Sequence, residues 1–275
     1  MMKTSFSTLA CPDWSLVETL GAAAKYGYDG VELRVVSREL DLWNLPEFKP
    51  SSLAATHAMV EDHGLVVAAV GTSACFHSSD ARERKRNMTS ALCMAEIASG
   101  LGAPAIRVFG DRIQPGNDRR QTVAWIAEAL VELADKLKPT NMEVWLETHG
   151  DFARAVDMSQ ILAEVNSEQI GIIWDPANAF QSYDEAPLIP PLMSSCVRQV
   201  HLKDLRRDAQ GSTCYVLTGE GAFPFDKMFK SLAEISFSGF VSFEWEKLWH
   251  PELVAPEVAL PHFINWWKRW EKASG

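Results

Sequence analysis

Eight short apolar runs recur along the 275-residue chain, and their spacing constrains the fold more than any other feature. They are FSTLA (6–10), GVELRVV (30–36), LVVAAVG (65–71), AIRVFG (105–110), EVWLE (143–147), GIIWD (171–175), RQVHL (198–202) and GFVSFEW (239–245). Successive runs begin roughly 25 to 40 residues apart, the length of one strand, one helix and two loops. Helical periodicity fills most of the gaps. WSLVETLGAAAKYG (14–27) ends on a Gly stop, and NMTSALCMAEIASGLG (87–102) and TVAWIAEALVELADKLK (122–138) follow the same pattern. Asp118 and Gln121 supply polar residues suited to the start of the last of these. Strands alternating with helices imply a parallel sheet. Eight such units predict an α/β fold, a single (β/α)8 barrel over residues 1–275 whose centre is filled by side chains. An open doubly wound sheet usually has fewer strands and often a Gly-rich phosphate loop after the first. Here the first run passes into ACPDW without a GxGxxG. No Ser/Gly/Pro linker divides the chain, and PLIPPL (187–192) reads as a loop.

Composition narrows the function. A net charge of -10 argues against nucleic acid or an anionic membrane as the main partner, while leaving room for a small anionic substrate. The five cysteines are odd in number and none sits at CxxC spacing, which argues against a disulfide scaffold or a structural zinc site. A reducing, cytoplasmic setting is the expectation. The start, MMKTSFSTLACPDW, lacks the apolar core of a signal peptide, and LVVAAVGTSACF (65–76) is too short and interrupted to span a membrane.

Chemistry in such a barrel gathers where the strands end. The fifth run ends WLETH, the sixth IIWDPAN, the seventh VHLKD and the eighth SFEWE. One strand-end carboxylate is usually a cap or a solvated charge. Glu147, Asp175, His201 and Glu244 on four consecutive strands are harder to dismiss. Pointing inward, they meet on one axis, and three carboxylates there repel one another unless a cation neutralises them. One divalent metal ion does so, and a mixed oxygen and nitrogen donor set suits Mn2+, Mg2+, Co2+, Zn2+ or Fe2+. Side chains two apart share a strand face, so His149, Lys203 and Glu246 follow Glu147, His201 and Glu244 on the same side. They are candidates to orient ligands or substrate, and Glu246 is an alternative metal ligand to Glu244.

These motifs resemble the xylose isomerase-like TIM-barrel superfamily, the sugar phosphate isomerases/epimerases related to endonuclease IV. The residues that carry the resemblance are YDGVELR (28–34), WLETHGDF (145–152), WDPANAF (174–180), VHLKDL (200–205), GEGAFPF (219–225) and SFEWEKLWHPEL (242–253). The resemblance implies one divalent ion held by Glu147, Asp175, His201 and Glu244, with Glu147 and Glu244 also transferring the proton. It implies isomerisation or epimerisation of a small sugar, sugar phosphate or sugar-derived keto compound. The alternative is a dehydratase of the inosose or dehydroshikimate type. Sugar epimerases commonly carry a His three residues after the sixth-strand Asp, where this chain has Asn178, which can hydrogen-bond a hydroxyl but cannot exchange protons. Endonuclease IV-like DNA repair is the least favoured, because the early strands end in TLAC, ELRV and GTSAC without that relative's extra ligands.

The remaining candidates have plainer rivals. Glu32, Arg34 and Arg107 are each either site residues or structural salt bridges. His77 lines the mouth or lies on the surface. Lys203 and Arg206 bind a substrate phosphate or carboxylate, or Lys203 pairs with adjacent acids. His57, His63, His250 and His262 are read as structural. The connection from Leu202 to Gly239 is longer than usual, with GEGAFPF an ordered loop and part of a candidate lid. The tail HFINWWKRWEK is an amphipathic helix, expected to pack on the outside of the barrel or to meet a second copy in a homo-oligomer.

Overall fold

The apolar runs are buried on both faces, as parallel strands are, and pairing of the last with the first closes them into a barrel rather than an open sheet. The computed structural model describes residues 2–165 and 167–274. Its barrel strands are β1 (Lys3–Ser7), β2 (Gly30–Leu33), β3 (Val66–Cys75), β4 (Ala105–Phe109), β5 (Glu143–Glu147), β6 (Ile170–Trp174), β7 (Val197–Leu202) and β10 (Phe240–Phe243). Neighbours pair in parallel around the ring, and β10 closes it between β7 and β1. A short antiparallel hairpin, β8 (Asp204–Arg207) with β9 (Thr213–Val216), stands outside the ring. The helices are α1 (Leu16–Tyr26), α2 (Leu53–Asp62), α3 (Ala81–Gly100), α4 (Arg119–Leu137), α5 (Ala155–Glu164), α6 (Pro176–Tyr183), α7 (Pro191–Ser194), α8 (Phe225–Glu234) and α9 (Pro256–Ser274). Among the described residues, no helix is long and apolar enough to cross a membrane.

Alternate strand residues serve two cores. Outward ones such as Phe6, Val70, Leu146 and Phe243 join helix residues such as Leu20, Ile126 and Phe263 in the main apolar core. Phe6, Phe243 and Phe263 expose no surface, and burial of each contributes about 1.5–3 kcal/mol. Inward ones form a separate small cluster of Ala69, Ala105, Trp145 and Ile173. Two residues further along the same faces the lining turns polar, with Arg107, Glu147 and Asp175 all buried.

Several boundaries follow local chemistry that periodicity does not reveal. The first strand is Lys3–Ser7, not 6–10, because its register against β2 runs out at Ser7 opposite Glu32. Thr8–Ala10 turns instead as a 3-10 helix, and the Thr8 hydroxyl accepts from the Arg34 and Val35 amides. Helix α1 opens on a capping box between Ser15 and Glu18 and stops at Gly27, which adopts the left-handed conformation that glycine tolerates best. Helix α3 begins at Ala81, earlier than the apolar pattern from Asn87 indicates, because Asp80 caps it by accepting from the Arg82 amide. The expected start of α4 holds, with Asp118 accepting from the Arg120 and Gln121 amides.

The tail packs on the barrel as expected. Phe263 stacks on Phe243 at 4.7 Å between ring centroids, and Trp267 is buried. The long connection after β7 holds the β8–β9 hairpin and an ordered loop fastened by one buried side chain. The Asp204 carboxylate accepts from the amides of Leu205, Gly219, Gly221 and Phe223. Asp204→Ala leaves these donors without their acceptor and is expected to lower the unfolding free energy by about 2–4 kcal/mol, read from a urea titration. An unchanged midpoint would show that the loop does not depend on it.

Candidate functional site

Register brings the polar strand ends to one level. Glu147 stands opposite Ile173, Trp174 opposite Val200 and Leu202 opposite Phe243. Glu147 closes β5, Asp175 follows β6, His201 lies near the end of β7 and Glu244 follows β10. Their donor atoms lie within 4.8 Å of one another, and all four residues are buried. The inward parity expected from the sequence therefore holds for the whole set.

Each of the four is held by one set of contacts and presents another atom to the centre. His201 directs Nε2 at Glu32, 2.9 Å away, which leaves Nδ1 facing Glu244 Oε1 at 3.2 Å and Glu147 Oε2 at 3.8 Å. Glu32 also accepts from Gln199 Nε2 at 2.7 Å and Ser242 Oγ at 2.8 Å. A carboxylate behind an imidazole fixes its ring and tautomer. Asp175 spends Oδ1 on the amides of Ala177 and Asn178, capping α6, and leaves Oδ2 for the centre. The Thr148 hydroxyl accepts from the Asp175 amide at 2.7 Å, locking the ends of β5 and β6 together. Arg107 Nε approaches Glu147 Oε2 at 3.1 Å, while its Nη1 donates to the Thr72 carbonyl in an irregular stretch of β3. Lys203 Nζ reaches Asp175 Oδ2 at 2.8 Å and Glu244 and Glu246, each at 2.7 Å.

Five carboxylates (Glu32, Glu147, Asp175, Glu244 and Glu246) are thus linked through three cationic groups: Arg107, Lys203 and His201. Burial penalises the charge of Glu32 and of Glu244. His201 outweighs this at Glu32, and Lys203 with His201 at Glu244, so both carboxyls stay below their ordinary range. Burial lowers the affinity of His201 and Lys203 for protons. The surrounding carboxylates, Glu32 first for His201 and Asp175 first for Lys203, more than reverse it. Asp175 is left over: burial, with Glu244 beside it, pushes its carboxyl up to about 7 despite Lys203.

The donor set fits a divalent cation. Glu147 Oε2, Asp175 Oδ2 and His201 Nδ1 are buried in the converging group, where they meet ionic contacts with Arg107, Lys203 and Glu244 but form no well-aligned hydrogen bond. Buried polar atoms usually complete their hydrogen bonds, and three converging ones that do not are atoms a ligand would complete. Oxygen and imidazole donors with a surplus of negative charge are the chemistry such an ion takes.

The other residues singled out from the sequence lie around this centre. Arg107 is buried against Glu147, so its salt bridge is part of the site. Lys203 pairs with the adjacent acids. Glu246 binds Lys203 and is not in the converging group of four. His149 sits higher at the mouth, its Nδ1 3.2 Å from Asp111 Oδ1 and its ring 4.8 Å from that of Phe109. Burial disfavours its charge, but the hydrogen bond to Asp111 raises its affinity for protons overall. His77 is buried beside Asp111. Asn178 donates its amide to the Thr148 carbonyl at 3.0 Å, bracing β5 against α6. Arg206 is exposed on β8, opposite Cys214, and joins no ion pair with the centre among the described residues. Sequence reasoning passed over Thr148, Asp111 and Cys75, whose positions at or just beyond strand ends were the available signal.

The model of the xylose isomerase-like TIM barrel family matches residues 20–270. The chain belongs to this family. Inosose isomerase from Halalkalibacterium halodurans is 26% identical over 256 residues, spanning 86% of this chain and 84% of its own. Among solved members of the fold, the IolI protein with a bound zinc atom superimposes with a TM-score of 0.75 at 22% identity, covering 95% of both chains. The 3-keto-D-glucoside 4-epimerase YcjR from E. coli gives 0.74 at 16% identity, covering 98% of this chain and 99% of its own.

The contact behind His201 has a measurable consequence. Glu32→Ala leaves the imidazole, Gln199 and Ser242 without their shared acceptor. It is expected to cost about 3–5 kcal/mol of stability, read from denaturant unfolding. A cost below about 1 kcal/mol would remove Glu32 from the framework of the site.

Proposed function

We propose that this member of the xylose isomerase-like TIM barrel family is a divalent-metal-dependent isomerase or epimerase of a small carbohydrate or sugar-derived keto compound. The observation that carries this reading is the convergence of Glu147, Asp175, His201 and Glu244, whose buried donor atoms all lie within 4.8 Å of one another. The names of relatives support it, since inosose isomerase and 3-keto-D-glucoside 4-epimerase both act next to a carbonyl carbon. The zinc atom in IolI supports a metal in a fold of this kind.

On this reading Glu147, Asp175, His201 and Glu244 hold the ion. When bound, it supplies Lewis acidity to an α-hydroxy carbonyl substrate and makes the proton on the adjoining carbon more acidic. Glu147 and Glu244 take the proton-transfer roles, one removing the α-proton and the other returning it. Arg107 fixes the orientation of Glu147, and Lys203 does the same for Glu244. Return of the proton to the opposite face of the same carbon gives an epimer. Return to the neighbouring carbon exchanges aldose and ketose. His149, half-exposed at the mouth, is placed to hydrogen-bond a substrate hydroxyl. Lys203 is committed to three carboxylates, which favours a neutral polyol portion over a phosphate beside it.

Solvent deuterium exchange tests the assignment, using a panel of ketoses and inosose-type cyclitols with added Mn2+. The wild type is expected to place deuterium at the carbon next to the carbonyl, with no loss of water from the product. Glu147→Gln and Glu244→Gln are each expected to slow exchange by about 10²–10⁴-fold. Undiminished exchange in either variant would remove that glutamate from the chemistry. Metal binding also has a predictable pH dependence. The ion requires Asp175 ionised, while in the metal-free protein its carboxyl binds a proton up to about 7. Affinity for Mn2+, measured by calorimetry, should therefore tighten as pH rises through 7 and go on tightening above it, because His201, whose proton affinity the surrounding carboxylates raise, must also give up its Nδ1 proton.

A further inference from the structure

A second group of metal-donor side chains lies at the mouth, outside the four-residue centre. Cys75 closes β3, His77 follows two residues later and Asp111 follows β4. One donor atom from each lies within 4.8 Å of the others. His77 is only 7% exposed, and its Nδ1, 3.9 Å from Asp111 Oδ2, is buried without a hydrogen-bond partner. An imidazole nitrogen buried in this way beside a carboxylate and a thiol is short of a partner, and among the described residues the Asp111 oxygen nearest it meets only the exposed Arg112 side chain, at 3.1 Å. We propose that Cys75, His77 and Asp111 form a second cation site, one suited to a borderline ion such as Zn2+ or Co2+.

The chemistry differs from that of the first centre. Glu147, Asp175, His201 and Glu244 offer oxygen and imidazole nitrogen, whereas this group adds sulfur. A thiolate, an imidazole and a carboxylate together select Zn2+ or Co2+ over Mg2+ or Mn2+. Three protein donors also leave at least one position of a tetrahedral ion free for a water or substrate oxygen.

The scaffold holds these donors in place. The pairing of β3 with β4 shifts register between Gly71 and Cys75, which re-aims the end of β3. Arg34 Nη2 and Arg107 Nη1 tie the irregular stretch down through Ser73 Oγ and the Thr72 carbonyl. The Asp111 backbone is left-handed, at φ 64°, and its carbonyl accepts from the Asp151 amide at 2.7 Å. Gly150 permits this approach, because a Cβ there would come within 2.0 Å of the Asp111 carbonyl oxygen. His149 Nδ1, 3.2 Å from Asp111 Oδ1, braces the carboxylate from the other side. Cys75 stands opposite Phe109 and Phe109 opposite Glu147, so the backbones of Cys75 and Glu147 are two strand spacings apart, roughly 10 Å. The Phe109 ring packs against Arg107, at 4.0 Å from the guanidinium, and against His149, at 4.8 Å between ring centroids.

Titration of the metal-free protein with Co2+ alone tests the site, because thiolate bound to cobalt gives a near-ultraviolet charge-transfer band that oxygen and imidazole donors do not. Elemental analysis after loading is expected to find two ions per chain, with the band present. Cys75→Ser should abolish the band and leave the ion at the four-residue centre. Asp175→Asn should weaken that ion and keep the band. His77→Gln, which leaves all five thiols intact, should weaken the cobalt affinity associated with the band at least tenfold. No band at saturating Co2+, or a band that survives Cys75→Ser in a variant with a wild-type melting profile, overturns the second site. A wild type that loads a single ion, with the band present and the loading unchanged in Asp175→Asn, would instead overturn the first centre, so the two failures are distinguishable.

Discussion

Three carboxylates brought close together inside a barrel are the constraint on which the rest of this structure depends. Two unit charges 4.8 Å apart repel by about 3.5 kcal/mol even at the screening typical of protein sites, and the centre holds more than one such pair. The chain brings Lys203, Arg107 and His201 among them, yet Asp175 still retains a proton up to about 7. The polar lining of the barrel follows from this. Gln199 and Ser242 are buried because Glu32 needs donors, and Glu32 is buried because His201 needs a partner. An apolar interior at this level would leave those charges unanswered.

The same residues divide their work between scaffold and centre. Asp175 caps α6 with one oxygen and faces the centre with the other. His201 is tethered through Nε2 and presents Nδ1. Glu147 and Glu244 each meet a cation from a neighbouring strand. Side chains held in this way need little reorganisation when a ligand arrives, which keeps the entropic cost of binding small. The closed ring of strands makes this possible, because it sets Glu147, Asp175, His201 and Glu244 at one level.

Much of this was legible in the sequence, for a physical reason. Eight apolar runs at barrel spacing leave few alternatives, and the runs end where a parallel barrel places its chemistry. Strand parity then predicts which side chains share the interior, and Glu147, Asp175, His201 and Glu244 follow it. The missing parts are long-range pairings between residues of ordinary type. Glu32 and His201 lie 169 residues apart, and nothing local to either announces the other. Asp204 reads as a loop acid until four amides, one from its neighbour Leu205 and three from the following loop, are seen to converge on it. Asn178 was legible as a polar residue after the sixth strand. That its amide is used on Thr148 depends on how β5 and α6 meet.

Lys203 shows why position alone does not assign a role. From the sequence it was equally a phosphate anchor or the partner of nearby acids. Its Nζ lies within 2.8 Å of Asp175, Glu244 and Glu246, so its charge is already shared among three carboxylates. A phosphate at the same place would bring roughly two further negative charges into a group that already has a surplus. A hydroxyl adds no charge and can both donate and accept. The balance of charge that makes the centre receptive to a divalent cation therefore also makes it inhospitable to an anionic substituent on the Lys203 side. On the proposed reading, the ion and the neutral polyol are two consequences of one excess of carboxylate.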